Sequence, residues 1–556
     1  MTLTRRRFLR QATPLGLVPF LPACAALGDA ADEDPSCCSS AGGSKLFQHG
    51  VASGDPLADA VILWTRVTPP DMAAGSSGGR AIEVEWRVAT DPGMTLVVAM
   101  GVSETSPDLD YTVKVDAPGL SPNTTYYYDF SALGGRSRMG RTKTLGNAAS
   151  THVRLAVTSC ANYPAGYFNV YRMIAARADV DLVLHLGDYL YEYGNGTLGD
   201  GSAIGRLPAP DREVVTLEDY RLRHAQYKAD ADLQEAHRQH PFVAIWDDHE
   251  VSNNAYRDGA ANHQPESEGD WELRKQNAMR AYFEWMPIRL AASGDVQRIY
   301  REFAWGDLFD LIVLDTRFAG RVARISGNCD AAGIGDPARS LLGAEQQAWL
   351  FDRLRGSKSR GARWRLIGQQ VMFGQLSDAR EGCVTHPDQW DGYAQSRAQV
   401  LDLIVTEAID NVVILTGDAH SSWAFDISEN PFDAATYDPS TGEGSRAVEF
   451  VAPAVSSPGP ILGVEEMLQT HPHLKFADVT KHGYVLLDLT PERAQAEWFF
   501  VTTVNEPLAE EQFSVAFKTL SGKNRLVAVA SASAPRAGAA ALAPADLTPS
   551  GPGKPS

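Results

Sequence analysis

The sequence predicts an α/β domain built from strand and helix alternation, preceded by a small all-β domain. Three observations predict it. Between about 150 and 500, short apolar runs of strand length alternate with longer helical stretches. Between about 44 and 147, short strands with polar–apolar alternation are separated by turn signals. After several of the apolar runs come clusters of Asp, His, Glu and Cys, at the strand ends where an α/β domain places its site.

Residues 1–43 read as a leader and tether. Arg5-Arg6-Arg7 precede an apolar pair and the mildly apolar stretch Ala12–Leu27, the layout of a twin-arginine export signal. That stretch is too short, and too broken by Pro14, Pro19 and Pro22, for a spanning helix. The protein is therefore expected to be exported by the twin-arginine translocase and to be periplasmic, secreted or anchored to the cell envelope. Leu21-Pro22-Ala23-Cys24 reads as a lipoprotein site with Cys24 acylated, or, through Ala23-Cys24-Ala25, as an ordinary signal-peptidase site. The Ser/Gly-containing segment from Gly28 to Gly43 serves either as a tether or as a disordered leader.

Within 44–147, Ala60–Val67 and Ile82–Val88 are strands, and Leu120–Phe130 is a proline turn leading into an aromatic strand, a pattern similar to a fibronectin-III/Ig-like sandwich. In 150–500, the buried strands are Val153–Thr158, Asp181–Leu186, Phe242–Trp246, Asp310–Leu314, Trp364–Gly368 and Asn411–Leu415. Helices are expected over Phe168–Ala178, Trp271–Trp285, Ala344–Leu354 and Tyr393–Glu407. A C-terminal segment covers 501–529, and the Ala/Pro/Ser/Gly-rich tail 530–556 is expected to be disordered.

The net charge of −19 argues against a nucleic-acid-binding groove and against a polybasic membrane surface. It does not exclude a phosphate substrate, because bound cations reverse the local field. Six cysteines in 556 residues are too few for a disulfide scaffold. Cys24, Cys37 and Cys38 lie in the leader. Cys329 and Cys383, both in Gly-containing loop sequence, are candidates to pair, which would leave Cys160 alone.

Four clusters carry chemistry. They are Ser159-Cys160-Ala161-Asn162-Tyr163, Gly187-Asp188-Tyr189-Leu190-Tyr191-Glu192-Tyr193, Asp247-Asp248-His249-Glu250 with Asn253-Asn254, and Gly417-Asp418-Ala419-His420. Taken singly, a Gly-Asp is a turn and a lone His a structural residue. Four such clusters at successive strand ends converge on one rim, the way a metal centre is assembled from distant sequence.

In order and spacing these clusters resemble the calcineurin-like metallophosphoesterases. Three departures (Cys160 in place of an Asp-x-His block, Asp248 for the usual Asn, Asp418 for the first His of the last block) are similar to the PhoD-like alkaline phosphatase branch. His49–Pro56 and His482-Gly483-Tyr484 also match that branch. The resemblance implies a metallophosphoesterase β-sandwich flanked by helices, hydrolysing phosphate monoesters or diesters with a metal-activated water. It also implies iron and calcium, one Fe³⁺ with one or two Ca²⁺. Cys160, Asp188, Tyr191 and His420 offer thiolate, carboxylate, phenolate and imidazole to the iron. Asp188, Asp248 or Asn253, and Asp418 offer oxygen to a hard divalent cation. Gln369 or Gln370 is a weaker candidate for an amide-oxygen ligand.

His249 is the expected stabiliser or proton donor of the leaving group; its alternative is a hydrogen bond that orients a carboxylate. Arg317 is either a bidentate phosphate clamp or an ion pair with Asp315 or a neighbour. Trp390 and Tyr393 read as packing or pocket wall, Trp423 and Phe425 as core, and His482 as structural, its alternative being to reach the site from a late strand. Partners are expected to be small phosphate esters, or phosphodiester polymers or lipids, with the chain a monomer. Phospholipase D-like phosphodiesterase activity is the alternative within the family. A non-catalytic, metal-stabilised surface-binding protein is the alternative outside it. Access to the metals is expected to be shaped by the loop Gly194–Asp211 and the segment after 500.

Overall fold

The computed structural model describes residues 45–70, 79–291, 294–378, 382–507 and 510–545. The leader, with its arginines and Cys24, Cys37 and Cys38, and residues 546–556 lie outside the described residues. No helix among the described residues is long and apolar enough to cross a membrane.

Side-chain alternation along the strands sets the layers. Leu311, Val313, Leu366, Val413 and Leu415 point one way, into a core shared with Leu155 and Leu184. Their neighbours Ile312, Leu314, Ile367, Val412 and Ile414 point the other way, into a second core shared with Leu350, Leu354, Val400 and Ile404 of the helices Gly343–Arg360 and Ala394–Thr406. Two sheets therefore pack face to face with helices outside them. Each fully buried Leu or Ile contributes about 1.5–3 kcal/mol relative to exposure, so the two cores dominate the fold's stability.

The first sheet has ten strands. At its centre Val153–Thr158, Leu182–His185 and Pro241–Ala244 run parallel, in the register Leu182↔Leu155 and Val183↔Phe242. The second sheet has seven, with Phe309–Val313, Trp364–Gln369, Val412–Thr416 and Ala447–Val451 parallel at its centre. Ser159 forms an isolated bridge with Ala454, tying the two sheets together where their strands end. The carboxyl ends of both parallel runs thus open onto one rim.

Two features go beyond or against the sequence reading. The 44–147 region is all-β, as predicted, with a core of its own, but its strands are not all in a separate sheet. Val51–Gly54, Ala60–Arg66 and Thr112–Pro118 form one flank of the ten-stranded sheet, and only the remaining strands make the separate five-stranded sheet. The joint is the parallel pairing of Gly54 with Phe242. A Cβ at Gly54 would lie 2.5 Å from the Phe242 carbonyl oxygen and 2.3 Å from that of Pro287, so glycine is what lets the strands meet.

The second, a correction, concerns the C-terminus. Glu511–Leu520 and Val527–Val529 extend the ten-stranded sheet, and the part of the tail that is described, up to 545, is packed, not disordered. The cause is a set of buried carboxylates at this edge. Arg536 makes a bidentate pair with Asp181 at 2.6 Å, and Ser533 bonds Asp488 and Glu497. Gln239 bonds both the N–H and the carbonyl of Ala543. Asp181 and Gln239 precede their strands, so this strap lies at the amino ends, away from the rim.

Candidate metal centre

Each cluster begins where a strand stops, and the backbone there is bent sharply. Cys160, Asp188, Asp418 and His420 all adopt positive φ, between 50° and 62°. A non-glycine residue pays about 1–2 kcal/mol for that conformation. Four such residues at one rim mark a place where side-chain direction outweighs backbone comfort. Glu250 pins the two loops together by accepting the backbone N–H groups of Asp188, Tyr189 and Asp247 at 3.1, 2.5 and 2.6 Å.

The structure gathers Cys160, Asp188 and His420 into one group whose ligand atoms lie within 4.8 Å of one another. Tyr191 joins them: its hydroxyl donates to Asp188 Oδ2 at 2.9 Å, lies 2.9 Å from His420 Nε2 and accepts from Ser457 at 2.7 Å. His420 Nδ1 donates to the Pro458 carbonyl at 3.0 Å, which directs the Nε2 lone pair at the group. A second group with the same spacing contains Asp188, Asp248 and His249, and a third Asp247, Asp248 and Asp418. Asp188 is shared by the first two and Asp248 by the last two, so the clusters form one continuous acidic site.

Asn253 meets this site through its backbone, whose N–H donates to Glu192 Oε1 at 2.7 Å. Asp248 supplies a side chain of the acidic group, and the side-chain amide oxygen of Asn253, five residues on, is a further candidate donor. Gln369 and Gln370 spend their amide oxygens inside the protein, on Trp390 and on Thr316 respectively. His482 bonds the Ser457 carbonyl, and Trp423 stacks on Phe425 in the core. Cys329 and Cys383 are disulfide-bonded, and Cys160 is free and buried.

Arg317 corrects the phosphate-clamp reading. Its guanidinium is fully buried and pairs with Asp247, with Asp388 at 2.7 Å, with Asp418 at 2.5 Å and with Asp248 at 3.5 Å. Asp315 instead accepts the Arg317 backbone N–H at 2.8 Å. With its donors committed to carboxylates, Arg317 braces the acidic side chains and has no fork left for a substrate.

His249 is held by Glu192, which accepts from its Nδ1 at 2.6 Å, while the rings of Tyr191 and Tyr193 pack against it at 4.3 and 5.4 Å. Burial opposes protonation of this imidazole, but Glu192, Asp248 and Asp188 together raise its pKa well above the usual range. Burial and the neighbouring acids also push the Asp248 carboxyl up to about 6 and that of Asp247 well above its ordinary value, Arg317 offsetting only part. Asp188 is held down to about 2, His249 and His420 outweighing its burial.

These donors fit metal ions. Asp188 Oδ1, Asp247 Oδ2 and Asp248 Oδ1 are buried without a hydrogen-bond partner. Buried carboxylates outnumber the one arginine that neutralises them, a balance that cations restore. Burial followed by Asp188 pushes both the Cys160 thiol and the Tyr191 hydroxyl well up, so each gives up its proton only to a cation of high charge.

Two residues of this site, Asp247 and Glu192, sit inside motifs visible in the sequence but carry no role there. Two others, Asp388 and Ser457, lie in loop sequence without a recognisable pattern and come to the site only through the fold.

The chain matches the family model for PhoD-like phosphatase over residues 155–498 and the model for its N-terminal domain over 32–146. It is 37% identical over 476 residues to alkaline phosphatase D of Bacillus subtilis (strain 168), covering 83% of this chain and 78% of that protein. A solved structure titled "Structure of PhoD" superposes with a TM-score of 0.78 at 36% identity, covering 88% of this chain and 93% of the other.

Proposed function

We propose, from the premise that this chain belongs to the PhoD-like phosphatase family and is a hydrolase of phosphoric ester bonds, that the cluster around Asp188 is its catalytic metal centre. The observation that carries this is Asp188 standing in two ligand groups at once, one with Cys160 and His420 and one with Asp248 and His249. The first group, with Tyr191, suits Fe³⁺. The carboxylates of the second, Asp188 and Asp248, with Asp418, suit one or two Ca²⁺, and His249 stays outside the ligand set. When bound, such ions would supply Lewis acidity to the phosphoryl oxygens and acidify the attacking water.

The chain's own residues do the rest. Asp188 and Asp248 would hold the cations against which the phosphoryl group is bound. Arg317 keeps Asp247, Asp248 and Asp418 in register without touching substrate. Glu192 fixes His249 with Nδ1 engaged, so that Nε2 is the nitrogen that hands a proton to the departing oxygen. The leader supports export by the twin-arginine route, which carries folded proteins and so suits a centre assembled before export.

The test is hydrolysis of p-nitrophenyl phosphate and bis-p-nitrophenyl phosphate, with metal analysis before and after chelation. Activity on at least one ester, lost with the metals and regained with iron and calcium, is expected. Full activity in metal-free protein would overturn the proposal.

A further inference from the structure

Beside the centre lies a cavity of about 390 Å³, within the range of small-molecule sites. Its walls differ in character. Asp418 and His420, which belong to the metal groups, line it together with His386, Gln389 and Ser421, while Met372, Leu376, Trp423 and Leu462 supply much of its apolar wall. Leu198, from the loop at Gly194–Asp211, closes a further side, and no lining residue comes from beyond Leu462.

The apolar wall is tied to the centre. His420 Nδ1 bonds the carbonyl of Pro458, which starts the segment carrying Leu462. Gly459 lets that segment lie close: a Cβ there would come 3.1 Å from the His420 carbonyl oxygen and 2.1 Å from that of Val479.

We infer that this cavity receives the organic substituent of the phosphate ester, and that the preferred substituent is uncharged and apolar next to the phosphate. This inference deepens the phosphoesterase reading and depends on it. A phosphoryl group bound at cations that Asp188 and Asp248 would hold lies beside Asp418 and His420, so its ester substituent has the wall of Met372, Leu376 and Leu462 within reach. Of the other polar groups in the lining, Gln389 is engaged with Met372 and Asp418, and Ser421 with Ala419 and Trp423. A polyhydroxyl substituent would therefore lose its water there and find chiefly His386 as a partner, whereas an alkyl or aryl one buries its surface.

The experiment compares n-propyl phosphate with glycerol 1-phosphate, which share a three-carbon skeleton and differ in hydroxyls, each as the monoester and as the methyl diester. The metal-loaded enzyme should favour propyl by about 10- to 100-fold in kcat/KM. Lengthening an n-alkyl series should raise kcat/KM about fourfold per methylene until the cavity is full. Leu462→Gln and Leu198→Gln, each at a half-buried wall position, should flatten both trends. The affinity of n-propylphosphonate relative to methylphosphonate, by calorimetry, should fall in the same variants. Equal or better use of glycerol phosphate, or trends unchanged by both substitutions, would overturn the inference. Hydrolysis of none of the esters, methyl included, would instead fell the phosphoesterase reading and this inference with it.

Discussion

Glu192 Oε2 lies 2.6 Å from His249 Nδ1, deep in the rim, and its other oxygen accepts the backbone N–H of Asn253. One carboxylate thus sets both the tautomer and the position of the imidazole grouped with Asp188 and Asp248. Glu192→Gln keeps the shape and removes the charge. It should lower kcat about 10- to 100-fold with iron and calcium content unchanged. His249→Ala should lose at least as much while keeping its metals. Wild-type kcat in both variants would remove the pair from the mechanism.

Arg317 tests the difference between bracing and substrate binding. Arg317→Lys keeps one charge but cannot span Asp247, Asp388 and Asp418 together. Leaving buried carboxylates unpaired costs about 3–5 kcal/mol. The variant should therefore unfold at a clearly lower temperature in metal-free protein, with KM for phosphate esters changed by less than about threefold in the metal-loaded form. A phosphate clamp would give the reverse: near-normal stability and a KM raised by orders of magnitude.

What the sequence discloses here follows from how local each signal is. The strand Val153–Thr158 and the helix Trp271–Trp285 are found where their patterns put them, because a short, continuously buried run and a helical stretch are both local properties. Cys160, Asp188, His249, and Asp418 with His420 are legible because each of these four clusters follows a strand of its own. The split of the N-terminal strands between two sheets is not legible, since Gly54 reveals its close approach only once Phe242 lies beside it. The ordered tail is hidden for the same reason: its low-complexity composition gives no hint that Arg536 will meet Asp181. Arg317 looks like a clamp until the fold surrounds it with four carboxylates.

Iron and calcium should separate by residue. Cys160→Ser removes the one thiol from the group with Asp188 and His420. It should cut iron content severalfold while calcium is retained. Asp188→Ala, which takes a carboxylate from two groups at once, should lose both metals and lower kcat/KM by at least about 10³-fold. Metal analysis of the purified variants decides it. Unchanged iron in Cys160→Ser would strike Cys160 from the ligand set.

Asp391 gives a pH-dependent stability. Burial raises its carboxyl from 3.8 to about 7, although the Leu376 N–H and Arg397 favour the ionised form. Between those two values the folded chain binds more protons than the unfolded one. The stability from this group is therefore complete below about pH 4 and is lost as pH rises through about 7. Asp391→Asn keeps the acceptor for Leu376, 2.9 Å away, and removes the charge. It should raise the melting temperature at pH 9 by an amount corresponding to a few kcal/mol at most, with little effect at pH 5. An equal shift at both values would exclude titration of Asp391 as the cause.

The C-terminal strap should matter for stability and not for turnover. Arg536 and Ser533 satisfy Asp181, Asp488 and Glu497 at the amino ends of the parallel strands, whereas every metal-ligand candidate stands at the carboxyl ends or beyond. Ending the chain after Val529 removes a bidentate guanidinium from a buried carboxylate and exposes the edge that Ala543 covers. Lys143, 2.5 Å from Asp181 Oδ1, still neutralises part of that charge. The loss is therefore smaller than for an unpaired buried ion, about 2–4 kcal/mol. Thermal unfolding should show it, with Arg536→Gln accounting for about half. Well below the new melting temperature, kcat and KM should stay within about twofold of the full chain. A tenfold fall in kcat while the truncated protein remains folded would mean that the tail communicates with the metal rim, and that the two ends of the sheet are not independent.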